Sequence, residues 1–219
     1  MDIGWALVVP AYLVGTFPTA ILVGRRQGRD PTVEGSGNPG ASNTMRTMGR
    51  RAGFAVLAGD LGKGAAAAGA GWALAGRPVG VACGVAAVLG HVFPATRRFR
   101  GGKGVATVAG IALVLVPVPA LVLGVLWAVA ATATGAASAG SVAVAVGLPV
   151  SAAATGRSAG EVLTFAACGA LVLARHRDNL DRLRRGEEAT FRPPGPTSPE
   201  RPSGRTGAPV RPDREDPAP

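Results

Sequence analysis

Three short polar clusters stand out in this chain as segments that could handle an anion. The first is Gly35-Ser36-Gly37-Asn38-Pro39-Gly40-Ala41-Ser42-Asn43-Thr44-Met45-Arg46. Its glycines allow backbone N–H groups to converge, while Ser36, Ser42 and Asn43 add side-chain donors. Arg46 can present a bidentate fork to a phosphate. The second cluster is Gly90-His91-Val92-Phe93-Pro94 followed by Phe99-Arg100-Gly101-Gly102-Lys103-Gly104-Val105-Ala106-Thr107. A glycine-rich turn and a lysine open an apolar helix there, an arrangement that can expose helix N-terminal amides to an anion. It is not a nucleotide P-loop, because Arg97 stands where that motif needs Gly and Gly104 where it needs Ser or Thr. The third cluster runs from His176 through Asn179 to Glu188. If the chain is helical from residue 176, His176 and Asn179 lie about one turn apart on one face.

Lysine usage singles out two positions. The chain has 23 basic side chains, of which only Lys63 and Lys103 are lysines, each within Gly-Lys-Gly. Such a bias suggests two places that need a compact ammonium rather than a guanidinium. Asp60 and Lys63 sit one turn apart inside an apolar run, where an ionisable pair is either functional or a mutually neutralised support.

The elements that must position these clusters are apolar. Charged residues make up 16% of the chain, against roughly 25% in soluble domains. Between Gly104 and Gly156 there is no Asp, Glu, Lys or Arg. Runs of this kind read as membrane spans, each needing about 20 residues to cross. The net charge of +10 is divided among short segments between apolar runs, as in cytoplasmic loops, which argues against nucleic acid as a partner. Cys83 and Cys168 lie in apolar runs and read as buried hydrophobes. No basic leader precedes the first apolar run, so that run is expected to stay as a span.

Spans are expected at about residues 4–24, 52–75, 79–96 and 159–174. The basic segments 97–103 and 175–185 should both face the cytoplasm, which requires an even number of crossings between them. The uncharged stretch must therefore supply three spans, broken at Pro117-Val118-Pro119 and within Thr132–Ser141. Each would be short, about 14 to 17 residues, implying local bilayer thinning or helices that stop below an interface. The expected fold is all-α and polytopic, with seven transmembrane helices, the N-terminus outside and the C-terminus cytoplasmic. Residues 1–188 form this domain. Residues 189–219 hold nine of the 18 prolines and almost nothing apolar, and are expected to be a disordered cytoplasmic tail.

Together the clusters resemble those of the bacterial acyl-phosphate:glycerol-3-phosphate acyltransferases. The resemblance lies in Ser36-Gly37-Asn38-x-Gly40-Ala41-x-Asn43-x-x-Arg46, in Gly90-His91-x-Phe93-Pro94 with Gly101-Gly102-Lys103-Gly104-Val105-Ala106-Thr107, and in His176-x-x-Asn179-Leu180-x-Arg182-Leu183-x-x-Gly186-x-Glu188. Order and separation also match, over residues 1–188. Pro39 and Ser42 depart from the common Ile or Val and Thr. The resemblance implies a seven-span enzyme of the inner (plasma) membrane with its site at the cytoplasmic face. It implies transfer of a fatty acyl group from acyl phosphate to the 1-hydroxyl of glycerol 3-phosphate, the first step of phospholipid synthesis. Ser36, Arg46, Lys103, His176 and Asn179 are the implied catalytic residues. Phosphate contacts are expected from Gly37, Asn38, Gly40, Asn43, His91, Gly101, Gly102, Gly104 and Thr107, with Asp60, Lys63 and Glu188 in support.

An acyl phosphate is already activated, so binding, alignment and charge stabilisation suffice, and no metal or cofactor is expected. Either His176 or a substrate phosphate can take the proton. Besides the two substrates and membrane lipid, the expected partner is the peripheral enzyme that makes acyl phosphate. Two rival readings remain. His176 and Asp181 have the His-x-x-x-x-Asp spacing of another glycerolipid acyltransferase class, and the intramembrane Asp60 and Lys63 would suit a small transporter.

Overall fold

A computed structural model describes residues 3–191. Every regular element among them is helical. A 3₁₀ segment at Ile3–Leu7 runs into α1 (Val8–Gly15) and, after a break at Thr16–Pro18, into α2 (Thr19–Arg25). The polar loop that follows carries α3 (Ala41–Met48). Then come α4 (Arg50–Ala75), α5 (Arg77–Val92), α6 (Val105–Leu115), α7 (Pro117–Thr134), α8 (Ala137–Ala154), α9 (Ala159–Arg175) and α10 (Arg177–Arg185). The uncharged stretch breaks at Val116, where Pro117 opens α7, and at Gly135, which turns with φ +75°. Both breaks fall where proline and small residues place them. The resulting helices are uneven: 11 residues in α6 but 18 in each of α7 and α8, rather than three of similar length.

Among the described residues, four helical runs are long and apolar enough to cross a membrane: Ile3–Arg25, Arg77–Arg97, Pro117–Thr134 and Ala137–Ala154. On α7 only Leu123 and Ala131 are buried, while Leu121, Val122, Val125, Leu126 and Val129 face outward. An apolar helix with so little protein contact needs a lipid solvent. Helix α4 is the hub, packing against α5 and α6, with α1 on α5, α8 on α7 and α9 on α8. The approach of α4 to α6 requires small residues. A Cβ on Gly110 would stand 3.0 Å from the Ala65 nitrogen, and one on Gly64 would stand 3.0 Å from the Thr107 carbonyl carbon. Leu115, Leu148, Val88, Val92, Phe165 and Val172 fill the space between α5, α6, α8 and α9.

One ion pair marks the end of the bundle remote from the three clusters. Arg77 Nε and Nη2, at the start of α5, donate to Glu161 Oε1 and Oε2 at 2.6 and 3.0 Å. Nη2 also donates to the Leu115 carbonyl, 2.8 Å away at the end of α6, and the guanidinium lies 4.9 Å from the Trp72 ring centroid. Three helix ends are thereby joined.

The expected tail boundary at 188 falls short of the packed chain. The Phe191 N–H donates to the Gly135 carbonyl at 2.9 Å, so residues 189–191 lie against the α7–α8 turn. The rest of the expected tail, from residue 192, lies outside the described residues.

Candidate active site

The loop before α3 is shaped by one buried amide. Asn43 is 1% exposed. Its Nδ2 donates to the Pro31 and Glu34 carbonyls, and its Oδ1 accepts from the Ser36 N–H at 2.9 Å. The Gly37 N–H donates to Glu34 O and the Gly40 N–H to Asn38 O. These backbone donors and the Asn43 side chain, expected to point at an anion, are therefore spent within the loop, and their role is to fix its shape. What remains outward is the exposed Ser36 hydroxyl, the part-buried Asn38 and Arg46. The Arg46 guanidinium lies 5.9 Å from the Phe191 ring centroid, which brings the first cluster against the end of the third.

The second cluster folds back on the end of α5. Gly101 and Gly102 donate their N–H groups to the Val92 and His91 carbonyls, each at 3.1 Å. Both amides are thus paired within the chain. The two glycines are needed for close approach: a Cβ at Gly101 would stand 2.7 Å from Pro94 Cδ and from Val92 O. Gly104, with φ +91°, turns the chain into α6 and leaves Lys103 beside the third cluster. His91 and Thr107, expected at a phosphate, are buried instead. His91 lies beneath the loop, next to Asp60, and Thr107 lies in the α4–α6 contact.

The third cluster is not one continuous helix. The chain breaks at His176 (φ −103°, ψ 6°) between α9 and α10. His176 Nδ1 lies 2.8 Å from the Val172 carbonyl, which can only accept, so Nδ1 carries the proton and Nε2 is left with a free lone pair. Beyond α10, Gly186 in the left-handed region turns the chain so that Glu188 returns to the site. Glu188 Oε1 accepts from Ser138 Oγ at 2.9 Å and from Asn179 Nδ2, and Oε2 accepts from Arg182 Nε at 2.8 Å. Lys103 Nζ donates to Asn179 Oδ1. Arg175 Nη2 reaches the Gly101 carbonyl at 3.3 Å and ties this segment to the second cluster.

The electrostatics follow from this line of contacts. Burial pushes the Lys103 ammonium down to about 8, against the opposing attraction of Glu188. Burial also lowers His176 to about 4, with the Val172 bond opposing and the Lys103 charge assisting. Burial alone would raise Glu188, but the bonds from Asn179, Ser138 and Arg182 outweigh it and hold the carboxylate below its usual range. At neutral pH the arrangement is a cationic Lys103, a neutral His176 and an ionised Glu188 that fixes Asn179, Arg182 and Ser138.

The structure therefore joins Lys103, Asn179, Glu188 and Arg182 directly and sets Arg46 and His176 against them. Ser36 stays exposed on its loop. Sequence reasoning passed over Ser138, an ordinary serine in an apolar run, and Phe191, which lay beyond the assumed boundary. Only the return of Glu188 reveals the first. Asp181 is exposed and pairs with Arg184 at 3.6 Å, while the His176 Nδ1 proton is taken by Val172. The His-x-x-x-x-Asp spacing thus forms no dyad. No cluster of metal-binding side chains occurs among the described residues.

Fold and site define an integral membrane protein, all-helical among its described residues, with a cationic cluster at the ends of apolar helices. Residues 5–186 match the glycerol-3-phosphate acyltransferase family, and the chain belongs to that family. It is 43% identical over 192 residues to the glycerol-3-phosphate acyltransferase of Rubrobacter xylanophilus, covering 84% of this chain and 94% of that one. It is 39% identical over 195 residues to that of Pseudomonas paraeruginosa, covering 85% and 99%. Among solved structures it is similar to PlsY (YgiH), an integral membrane glycerol 3-phosphate acyltransferase, in its glycerol 3-phosphate form. The TM-score is 0.83 at 31% identity, over 86% of this chain and 96% of that one. The lysophosphatidic acid form of PlsY matches with a TM-score of 0.80.

Proposed function

We propose that this protein transfers a fatty acyl group from acyl phosphate to the 1-hydroxyl of glycerol 3-phosphate, releasing 1-acyl-glycerol 3-phosphate and phosphate. The observation that carries this reading is the part-buried line Lys103–Asn179–Glu188–Arg182 with Arg46 and His176 beside it. It offers fixed cations for two phosphates at the edge of an apolar body that can hold an acyl chain. Lys103 takes the phosphate of glycerol 3-phosphate. Arg46, Ser36 and Asn38 take that of the donor.

The hydroxyl oxygen attacks the acyl carbonyl, the carbonyl carbon–oxygen bond to phosphate breaks, and the hydroxyl proton ends on phosphate. His176, lowered to about 4, is too weak a base to compete with a phosphate monoester whose second ionisation lies at about 6. Its free Nε2 instead accepts the hydroxyl hydrogen bond and aligns the nucleophile. No step requires a metal or cofactor.

The protein acts as a seven-span enzyme of the plasma membrane, N-terminus outside, with the site facing the cytoplasm. Supporting this orientation, Arg77 and Glu161 lie at the end remote from the site, while the basic segments surround it. Acyl phosphate, being labile, would come from a peripheral enzyme at the same face. The test is donor choice by protein purified in detergent. Release of phosphate that depends on both acyl phosphate and glycerol 3-phosphate is expected. Turnover with acyl-CoA or acyl carrier protein, and none with acyl phosphate, would overturn the proposal.

A further inference from the structure

Beneath the Lys103 loop lies a second polar group that takes no direct part in the proposed chemistry. Asp60 and Lys63 on α4 and His91 on α5 are 3%, 7% and 5% exposed. Lys63 Nζ lies 2.8 Å from Asp60 Oδ1 and donates to the Phe17 carbonyl at 3.3 Å, at the break between α1 and α2. The same Asp60 oxygen is 3.6 Å from His91 Nδ1. Burying a charge pair is costly, and an apolar pair of similar volume often serves stability as well or better. Here the pair adjoins a histidine that forms the floor of the loop. The His91 carbonyl accepts from the Gly102 N–H at 3.1 Å. A Cβ on Gly102 would stand 2.7 Å from His91 Cε1 and 3.2 Å from Cδ2, and closer still to Nε2. The ring therefore lies directly under Gly102, one residue before Lys103.

We infer that Asp60, neutralised by Lys63, is a positioning residue that acts through His91 to set the height of the Gly101-Gly102-Lys103 loop, and so the place of the phosphate that Lys103 binds. The inference rests on the assignment of glycerol 3-phosphate to Lys103. Its consequence is selective. Releasing the floor weakens use of the acceptor and leaves the donor site, built from another loop, as it was.

Two sets of variants test it, in purified enzyme with each KM measured separately. The first is the double variant Asp60→Leu/Lys63→Met, which removes both members of the buried ion pair together. Folded protein is expected with KM for glycerol 3-phosphate raised about 10-fold, the scale for losing a supporting shell, and KM for acyl phosphate unchanged. A folded double variant with wild-type values of both constants would show the pair to be structural only and overturn the inference. The second set is a cycle between His91→Ala and Gly102→Ala, which decides the matter if the first variant does not fold. The space vacated by the ring should admit the new Cβ, so the double variant should exceed Gly102→Ala alone in kcat/KM. Additive losses would refute the contact as the route. Wild-type enzyme inactive with both substrates would instead sink the proposed function, a separate outcome.

Discussion

Lys103 provides the sharpest pH prediction. With its titration near 8, about nine-tenths of the free enzyme carries the ammonium at pH 7 and about one-tenth at pH 9. Glycerol 3-phosphate, as a phosphate monoester ionising at about 6, stays dianionic across that range. Because kcat/KM reports the free enzyme, it should fall about tenfold between pH 7 and 9. In the complex, the substrate's negative charge favours the ammonium, so kcat should fall only at higher pH. Glu188→Gln removes the attraction that opposes burial and should move the kcat/KM limb to lower pH. Lys103→Arg, with a side chain that does not titrate in this range, should abolish the limb at a lower plateau. The assay is phosphate release in detergent under limiting glycerol 3-phosphate. Stability must move the other way. A lysine titrating lower folded than unfolded makes the unfolded chain bind more protons between about 8 and 10.5, so its contribution to Tm rises with pH there. A flat kcat/KM from pH 7 to 9, or an unmoved limb in Lys103→Arg, would refute the reasoning.

Other substitutions test separate parts of the structure. His176→Ala should lower kcat by about 10-fold, as for one lost orienting hydrogen bond; a loss of about 10⁴-fold would restore the imidazole as general base. Gly101→Ala places a carbon 2.7 Å from Pro94 Cδ, where contact needs about 3.5 to 4.0 Å, so the loop must shift by about 1 Å. Initial-rate kinetics should show about 100-fold lower kcat/KM, with Gly124→Ala, which meets nothing within 4 Å, as an unaffected control. Arg77→Ala should lower Tm in detergent, at a cost of about 1 to 3 kcal/mol, while kcat/KM per folded molecule stays unchanged.

The sequence by itself determined the all-helical class, the breaks near Pro117 and Gly135, and the identity of the basic clusters. These depend on apolar run length, on proline and glycine, and on charge placement, all local properties of the chain. Resemblance to the acyltransferase family, carried by the sequence motifs, grouped Ser36, Arg46, Lys103, His176 and Asn179. The sequence did not reveal which donors remain free. Asn43, Gly37, Gly40, Gly101 and Gly102 each look available until the loops close on themselves and consume their hydrogen bonds. Nor could it join Ser138 to Glu188 or Phe191 to Gly135, because those pairs are more than 49 residues apart and meet only when a left-handed turn at Gly186 sends the chain back. Burial decided the rest. The lowering of Lys103 to about 8 and of His176 to about 4 comes from removal of water by neighbouring helices, a quantity that residue order does not carry.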